Sequence, residues 1–389
     1  MPKPLRRILL LIVLTLVYVL AFPRSTGTEP LIERQWVLSL DGAAADGAEA
    51  GDGREARVMP FQLGSQFGYF TTDGGLRHIE QIRYGIAQDS ERFANYSVIS
   101  DNVVLQDPDG AFVRSIAAQG YPRLDHGRLF IFAPGGSAVS EWTVDGQQVW
   151  TRDFLSVLTD LDAGETRTAV GLLDGSVHLL AEDGEELFSY ATEGVRIPVT
   201  LAVALGEDED VLAAVAGIDP QKLILFERHT EGFFPVFQLE LDSDYRRPVL
   251  LDFLDDGAML AVEQPGGLLL YDRSADSFDH IDLGGAVEEV TALPEFGLVL
   301  AAARFAAGTH GAGVASGEDG TSGEEGAPGE DGAGGEAGAG VHRLQATVWP
   351  DQRLFSQTMA TGEVFLSAEG TRIYIGANGR LLCVELVQG

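Results

Sequence analysis

The sequence predicts an all-β fold, a seven- or eight-bladed β-propeller preceded by an N-terminal transmembrane or signal-anchor helix. Three observations lead to this class: short strand-like runs closed by glycine turns, a recurrence of these runs about every 40 residues, and an apolar run near the N-terminus. With 45% hydrophobic and 22% charged residues among 389, the chain has enough apolar side chains to build a packed core.

The strand-like runs follow one another as meanders. At 168–190 they are separated by turns such as Asp174-Gly175, and tight Asp-Gly turns close β-hairpins. The same pattern recurs at 128–150. No stretch of the body shows a sustained helical period, so we expect sheets throughout.

Two segments 50 positions apart, 196–201 (RIPVTL) and 246–251 (RRPVLL), share a pattern. We interpret them as the innermost strands of successive blades. A blade cannot bury both of its faces alone, so blades stack in a ring that leaves few exposed edges. Residues 61–389 without the insert at 307–340 number about 295. This length allows seven blades of about 42 residues or eight of about 37.

The chain divides into three predicted regions. Residues 1–30 are a signal anchor, 31–60 a strand followed by an Ala/Gly/acid-rich linker, and 61–389 the propeller. Residues 307–340 form an insert with seven acidic residues, one proline and no Lys or Arg. Collagen needs far more proline, so we expect a disordered hairpin loop, which costs little because closure entropy grows slowly with loop length.

The last predicted strand, at 381–386, has no outer neighbour in the remaining C-terminal residues. The strand-like run at 35–40 is left over at the other end of the chain. We therefore predict that the two ends pair and close the ring.

The N-terminal run predicts export. Lys3, Arg6 and Arg7 precede the apolar stretch 8–22, and cations at this flank place the rest of the chain outside the cytoplasm. We expect an uncleaved single-pass anchor in the cell inner membrane with a periplasmic domain; cleavage near Ser25 would instead give a secreted protein. No cysteine lies just after the run, which excludes a bacterial lipoprotein.

Charge and cysteine content exclude several functions. The formal net charge is −33, and this field repels nucleic acid. The single cysteine, Cys383, allows neither an internal disulfide nor a cysteine-cluster metal site. We find no motif for catalysis, metal binding or a cofactor, and we predict none of the three.

The unit at 141–150 resembles the repeat of PQQ-like (quinoprotein-type) and WD40-like propellers, because the turn residue Gly146 is followed four positions later by Trp150. Gly184 and Phe188 repeat this spacing. The resemblance implies a propeller over 61–389. Its group includes quinone-dependent dehydrogenases and non-catalytic scaffolds, one of which is a lipoprotein in outer-membrane protein assembly. Lacking the adjacent cysteines of the dehydrogenases, this chain resembles the non-catalytic branch.

One candidate ligand site comes from arginines beside prolines at the start of predicted innermost strands. Arg123, Arg196 and Arg246 would line the axial channel and bind a small anion through their planar guanidinium groups. The alternative is that they pair with neighbouring acidic residues.

The function predicted from the sequence is a membrane-tethered, extracytoplasmic binding or scaffolding module for envelope proteins. We expect a non-enzymatic role. The alternatives are a quinone- or sugar-dependent enzyme, or a small-anion binding protein, each using the axial channel; they require polar and charged side chains directed into it.

Overall fold

The computed structural model describes residues 30–40, 45–46, 56–98, 101–305, 341–348, 352–361 and 363–388. Apart from a 3₁₀ turn at Pro294–Phe296, the regular structure of these residues is entirely β. Within these ranges no helix is long and apolar enough to cross a membrane. The predicted anchor helix and the predicted disordered insert at 307–340 lie outside the described residues.

The strands are, in chain order, β1 Pro30–Ser39, β2 Ala45–Asp46, β3 Val58–Leu63, β4 Gln66–Thr71, β5 Leu76–Gln81, β6 Gly85–Gln88, β7 Phe93–Tyr96, β8 Val103–Gln106, β9 Phe112–Ile116, β10 Tyr121–Asp125, β11 Arg128–Phe132, β12 Ala138–Trp142, β13 Gln148–Asp153, β14 Leu158–Ala163, β15 Thr168–Leu172, β16 Ser176–Leu180, β17 Glu186–Ala191, β18 Ile197–Leu205, β19 Val211–Ile218, β20 Gln221–His229, β21 Gly232–Leu241, β22 Leu251–Leu254, β23 Met259–Gln264, β24 Gly267–Asp272, β25 Ser277–Asp282, β26 Ala286–Leu293, β27 Leu298–Phe305, β28 Val341–Val348, β29 Gln352–Ala360, β30 Val364–Glu369, β31 Arg372–Ala377 and β32 Arg380–Gln388.

These strands form the eight blades of a β-propeller. Six blades contain four consecutive strands each, from β6–β9 to β26–β29. A further blade contains β3–β5, and the last joins β30–β32 to β1 and β2. The sequence allowed either seven or eight blades, and the structure has eight. Residues 197–201 lie in β18, as predicted, whereas of 246–251 only Leu251 lies in a strand, at the start of β22. Strands β18 and β22 are the innermost strands of successive blades.

Burial explains why the strands differ in composition. All residues of β19 and β23 are buried, because blades cover these middle strands on both faces. The outermost strand β17 instead alternates exposed and half-buried residues. Leu223 and Leu225 of one blade share a core cluster with Leu260 and Val262 of the next. Each blade therefore completes its core only against its neighbour.

The glycine of the repeat lies against the preceding blade. A Cβ atom at Gly184 would lie 2.7 Å from Cγ of Trp150, and one at Gly74 would lie 2.9 Å from Cγ of Trp36. Gly184 also has a φ of +78°, a conformation that favours glycine. The recurring turn glycine thus serves both the turn and the contact between blades.

The ring is closed by the two ends of the chain, as predicted. β1 pairs antiparallel with β32, with Leu38 opposite Leu381 and Trp36 opposite Cys383. The Trp36 indole lies 5.7 Å from the ring of Phe70, which belongs to the β3–β5 blade. Its Nε1 donates to the Thr72 carbonyl at 3.1 Å. Strand β1 therefore completes one blade and packs against the next.

In the β3–β5 blade, the strand nearest the axis runs in the opposite direction to the innermost strands of the other blades. Arg57, just before β3, pairs with Glu369 at the end of β30. Gly64, just after β3, lies against the side chain of Glu363, just before β30. Strand β3 therefore runs opposite to β30, although both are the strands of their blades nearest the axis. After β1 the chain continues through β2 on the outer side of the sheet, so the inner position of this blade stays vacant among the described residues.

The two rims of the ring differ. We call the rim where β6, β10, β14, β18, β22, β26 and β30 begin the insert face, because β27 ends there and β28 begins there. We call the opposite rim the terminal face, because β1 begins there, paired with the end of β32. The terminal face carries the acidic turns at 206–210 and 255–258. There a hydrogen bond with Asp256 raises the pKa of Glu207.

Ring closure can be tested with two substitutions in β1. Trp36 is 5% exposed and Leu31 is 56% exposed. We expect Trp36→Ala to lower the free energy of unfolding by about 3–5 kcal/mol, because it removes buried contacts between two blades. Leu31→Ala should change it by less than about 0.5 kcal/mol. Denaturant unfolding monitored by far-UV circular dichroism measures both; equal effects would contradict closure by β1.

Candidate functional site

The axial channel is bordered by carboxylates that join neighbouring innermost strands. The innermost strands make no ladder with one another in the described part of the chain. Instead, a side-chain oxygen of one strand accepts a hydrogen bond from a backbone N–H of the next. These carboxylate bridges are Asp125 to Ala163 (3.3 Å), Asp160 to Val203 (2.9 Å), Asp162 to Leu205 (2.6 Å) and Glu289 to Leu366 (2.6 Å).

Burial changes the ionisation of these groups. It raises the pKa of Asp162 and of Glu289 to about 7, and the pKa of Asp252 on β22 to about 6. Burial also raises the pKa of Asp160. The dominant cause in each case is loss of hydration, which disfavours the charged form. The bridges of Asp162 and Glu289 therefore take up protons near neutral pH.

Arg123 is the candidate arginine that lies in the channel. It is on β10, and its guanidinium contacts Asp125 at 3.2 Å and Asp160 at 3.5 Å. The side chain remains 39% exposed. Two carboxylates thus share its charge, which reduces its attraction for a further anion.

The other two candidate arginines lie on the insert face. Arg196 precedes β18 and pairs with Asp219 at 2.6 Å. Arg246 is exposed in the connection between β21 and β22. The neighbouring Arg247 makes the buried contact instead, forming two hydrogen bonds of 2.9 and 2.7 Å with Glu263, which is 1% exposed. The structure places one candidate in the channel and two on the rim, and the anion site stays a prediction.

A cavity of about 320 Å³ lies in the channel beside the vacant position of the β3–β5 blade. It is bounded by β3, β6 and β10. Its lining combines apolar side chains with two amides and one guanidinium: Gln62, Ile86, Ala87, Gln88, Pro122, Arg123 and Leu124. The sequence does not predict this site, because nothing in the strand pattern shows that β3 runs opposite to its neighbours.

The insert face carries large apolar side chains in contact with solvent. We call them the apolar arc: Tyr84 (56% exposed), Val98 (53%), Leu155 (107%), Val157 (41%), Leu173 (52%) and Ile197 (41%). They belong to the blades β6–β9, β14–β17 and β18–β21. In the blade between them, Tyr121 at the start of β10 continues the arc, with its ring centroid 6.1 Å from that of Tyr84.

Backbone hydrogen bonds join the loops that carry the apolar arc. Leu173 donates its N–H to the Val157 carbonyl at 2.8 Å, and Leu158 donates to Gly136 of the preceding blade at 2.7 Å. A second cavity, of about 430 Å³, opens beside Leu155 and is lined also by Phe154, Leu172, His178 and Tyr190. Large exposed apolar patches mark interaction surfaces.

Two of the four tryptophans are core residues. Trp36 is 5% and Trp150 is 7% exposed. The Trp150 Nε1 donates to Glu141 at 2.6 Å, and Glu141 also pairs with Arg128. Trp142 is half-buried, and Trp349 lies outside the described residues.

Comparisons with known proteins support the fold. Residues 4–304 match a family described as "beta-propeller protein". An uncharacterized protein of Treponema pallidum (strain Nichols) is 26% identical over 242 residues, which cover 62% of this chain and 64% of that relative. The resemblance to propellers is thus confirmed, whereas the PQQ-like or WD40-like assignment stays a prediction.

Solved structures show the same architecture. BamB from Moraxella catarrhalis has a TM-score of 0.54 at 12% identity, covering 91% of this chain and 98% of BamB. A chain in the crystal structure of the mitotic checkpoint complex has a TM-score of 0.51 at 11% identity, covering 88% and 99%. At these identities the similarity concerns the fold alone.

The carboxylate bridges predict how stability depends on pH. The raised pKa of Asp162 means that the folded protein holds a proton that the unfolded chain releases near its ordinary pKa of about 4. Stability therefore decreases as pH rises from about 4 to above 7. Asp162→Asn keeps an acceptor for Leu205 without the ionisation, so at pH 8 it should be more stable than wild type, by on the order of 1–4 kcal/mol.

Melting temperatures at pH 5 and pH 8 measure this effect. At pH 5, about one unit above the ordinary pKa of an aspartate, the advantage of Asp162→Asn should fall to about 1.5 kcal/mol or less. Asp153→Asn, at an exposed position, is the control and should show no such difference at either pH. Asp162→Ala removes both the ionisation and the acceptor, so it should be about 1–3 kcal/mol less stable than Asp162→Asn at both pH values. An Asp162→Asn protein that is less stable than wild type at pH 8 would contradict the protonated bridge.

Proposed function

Since the chain belongs to a family of beta-propeller proteins, we propose that it is a membrane-tethered, extracytoplasmic scaffold that binds a protein of the cell envelope on its insert face. The observation that carries the proposal is the apolar arc. Its six side chains are 41–107% exposed, and burying such surface against a partner is the main favourable term in protein association.

The topology supports this orientation. The apolar run at 8–22 precedes β1, and β1 begins at the terminal face. A tether formed by that run joins the propeller at the terminal face. The insert face then points away from the membrane and is open to other envelope proteins.

The channel chemistry favours a scaffold over an enzyme. The carboxylates of Asp125, Asp160, Asp162 and Glu289 accept backbone hydrogen bonds between blades. Arg123 pairs with two of them. These side chains therefore hold neighbouring blades together, and a quinone- or sugar-dependent reaction would have to displace those contacts.

The structural neighbours are consistent with protein binding. One is a chain of the mitotic checkpoint complex, a multiprotein assembly by its name. The other, BamB, covers 91% of this chain. A propeller rim presents loops from several blades at once, so it offers the broad surface that a protein partner needs.

Photocrosslinking in cells tests the binding face. A photoreactive amino acid replaces Leu155 or Leu173 in the full-length protein. Leu187 and Phe234, which are similarly exposed (49% and 44%) on outermost strands, are the controls. We expect adducts of one common mass from both insert-face positions and not from the outer strands, because the partner covers the apolar arc.

A second variant checks that the adduct depends on apolar contact. Leu155→Asp combined with Leu173→Asp should lower adduct formation from a photoreactive residue at Ile197 by about tenfold, since about 1.4 kcal/mol of binding is lost. Adducts equally strong from the outer strands, or unaffected by the double substitution, would contradict the proposal.

Cell fractionation tests the tether. We expect the full-length protein to sediment with membranes and to be degraded by protease added to spheroplasts, because its apolar run anchors an external domain. A chain starting at residue 29 behind a cleavable signal should be soluble and folded. A full-length protein that stays in the soluble fraction and is protected from protease would contradict a tethered external domain.

A further inference from the structure

We propose that the cavity of about 430 Å³ beside Leu155, which we call the Leu155 cavity, receives an arginine side chain of the partner protein. This inference deepens the proposed scaffold function and rests on it, because the cavity opens within the apolar arc. It lies between the β10–β13 and β14–β17 blades. Its lining consists of residues 152–155, 172, 174, 176, 178, 186 and 189–191.

The walls of the Leu155 cavity suit the stem and the planar head of an arginine. Phe154, Leu172 and Tyr190 contribute aromatic and aliphatic surface to the lining. The methylene stem of an arginine packs on such surface while its charged head stays near polar groups. Guanidinium groups also pack favourably on aromatic rings. These walls therefore favour arginine over the compact, strongly hydrated ammonium group of lysine.

The charges of the lining attract a cation. Asp153, Asp174 and Glu186 contribute three carboxylates, against the single guanidinium of Arg152. Three negative charges and one positive charge leave a formal charge of −2 with His178 neutral, and −1 with its imidazole charged. A purely apolar occupant would remove carboxylates from water without compensation, which is unfavourable. The charge balance therefore selects a basic occupant.

The basic groups of the lining share one carboxylate. Arg152 donates to Oε2 of Glu186 at 3.0 Å, and Nδ1 of His178 lies 3.0 Å from the same oxygen. Burial raises the pKa of Glu186, but the hydrogen bond with His178 and the charge of Arg152 lower it overall. Glu186 is therefore ionised at neutral pH and balances the charge of Arg152.

Two further carboxylates, at the insert-face end of the cavity, can accept from the incoming guanidinium. Oδ1 of Asp174 holds the turn before β16, because it accepts from the Ser176 N–H at 3.0 Å and from the Ser176 hydroxyl at 2.6 Å. Asp153 and Asp174 are exposed, and neither makes an ion pair with another described residue. A guanidinium has five N–H donors in a planar fork and can donate to more than one acceptor at once.

Two amino-acid derivatives of matched shape test the charge requirement. The side chains of N-acetyl-arginine methylamide and N-acetyl-citrulline methylamide are nearly isosteric, but only the first is charged. Each is titrated into the purified full-length protein, and the methyl NMR signals of Leu155 and Leu172 report binding. We expect millimolar binding of the arginine derivative and binding about tenfold or more weaker for the citrulline derivative, because charge-assisted hydrogen bonds are lost. Equal binding of the two would overturn the inference.

Charge variants show whether the attraction belongs to the cavity. Asp153→Asn combined with Asp174→Asn keeps an acceptor for Ser176 and should weaken binding of the arginine derivative by about tenfold or more. Glu182→Gln combined with Glu231→Gln removes the same charge from exposed turns of the terminal face. This control should bind within about twofold of wild type, because salt screens distant charges. Equal losses in the two double variants would overturn the site.

Filling the cavity tests its role in partner binding. Ser189 lines the cavity and is exposed. In cells, Ser189→Trp should lower adduct formation from a photoreactive residue at Leu173 by about tenfold, whereas Ser189→Ala should stay within about twofold of wild type. Adducts that persist in Ser189→Trp would overturn the arginine inference and leave the scaffold proposal standing. The scaffold proposal itself fails separately, if the otherwise unaltered protein gives no adducts from Leu155 and Leu173.

Discussion

Ring closure by β1 and β32 is the constraint on which the rest of the structure depends. Each blade has an incomplete core until its neighbour covers it, so an open ring would expose two apolar blade faces. The chain meets this requirement by placing its first strand on its last blade. Trp36 of that strand also packs on Phe70 of the following blade. The N-terminal strand thus fixes both sides of the junction.

Closure in this manner has a consequence for the next blade. After β1 the chain passes through β2 on the outside of the sheet and then enters the β3–β5 blade from the terminal face. The strand that would lie closest to the axis is not supplied by the described residues. The β3 edge, the cavity beside Gln62 and the change in strand direction are therefore three results of one topological cause.

Much of the fold could be predicted from the sequence, because the repeat has local signals. Turn glycines such as Gly184, and the strand-like run at 35–40, depend on backbone conformation and strand propensity, which short segments reveal. Blade number was ambiguous because the β3–β5 blade is one strand short, which lowers the average residue count per blade. The reversed direction of β3 depends on a long-range contact between Arg57 and Glu369, which no local pattern encodes.

The candidate site was harder to predict, because its groups act between blades. Arg246 matched the repeat pattern, yet Arg247 forms the contact with Glu263. The carboxylates of Asp160 and Asp162 had a signal in the alternation of acidic residues along β14. That alternation became interpretable only once β14 was known to be an innermost strand whose neighbour offers free N–H groups.

Among the described residues no strand lies inside β3, and residue-resolved amide hydrogen exchange of the free protein tests most directly whether that position is empty. A vacant position predicts slow exchange at Met59 and Phe61, whose amides pair with β4, and exchange faster by orders of magnitude at Val58 and Gln62. Uniformly slow exchange at all four amides would mean that a strand already occupies the axial edge of β3, and would contradict the vacancy.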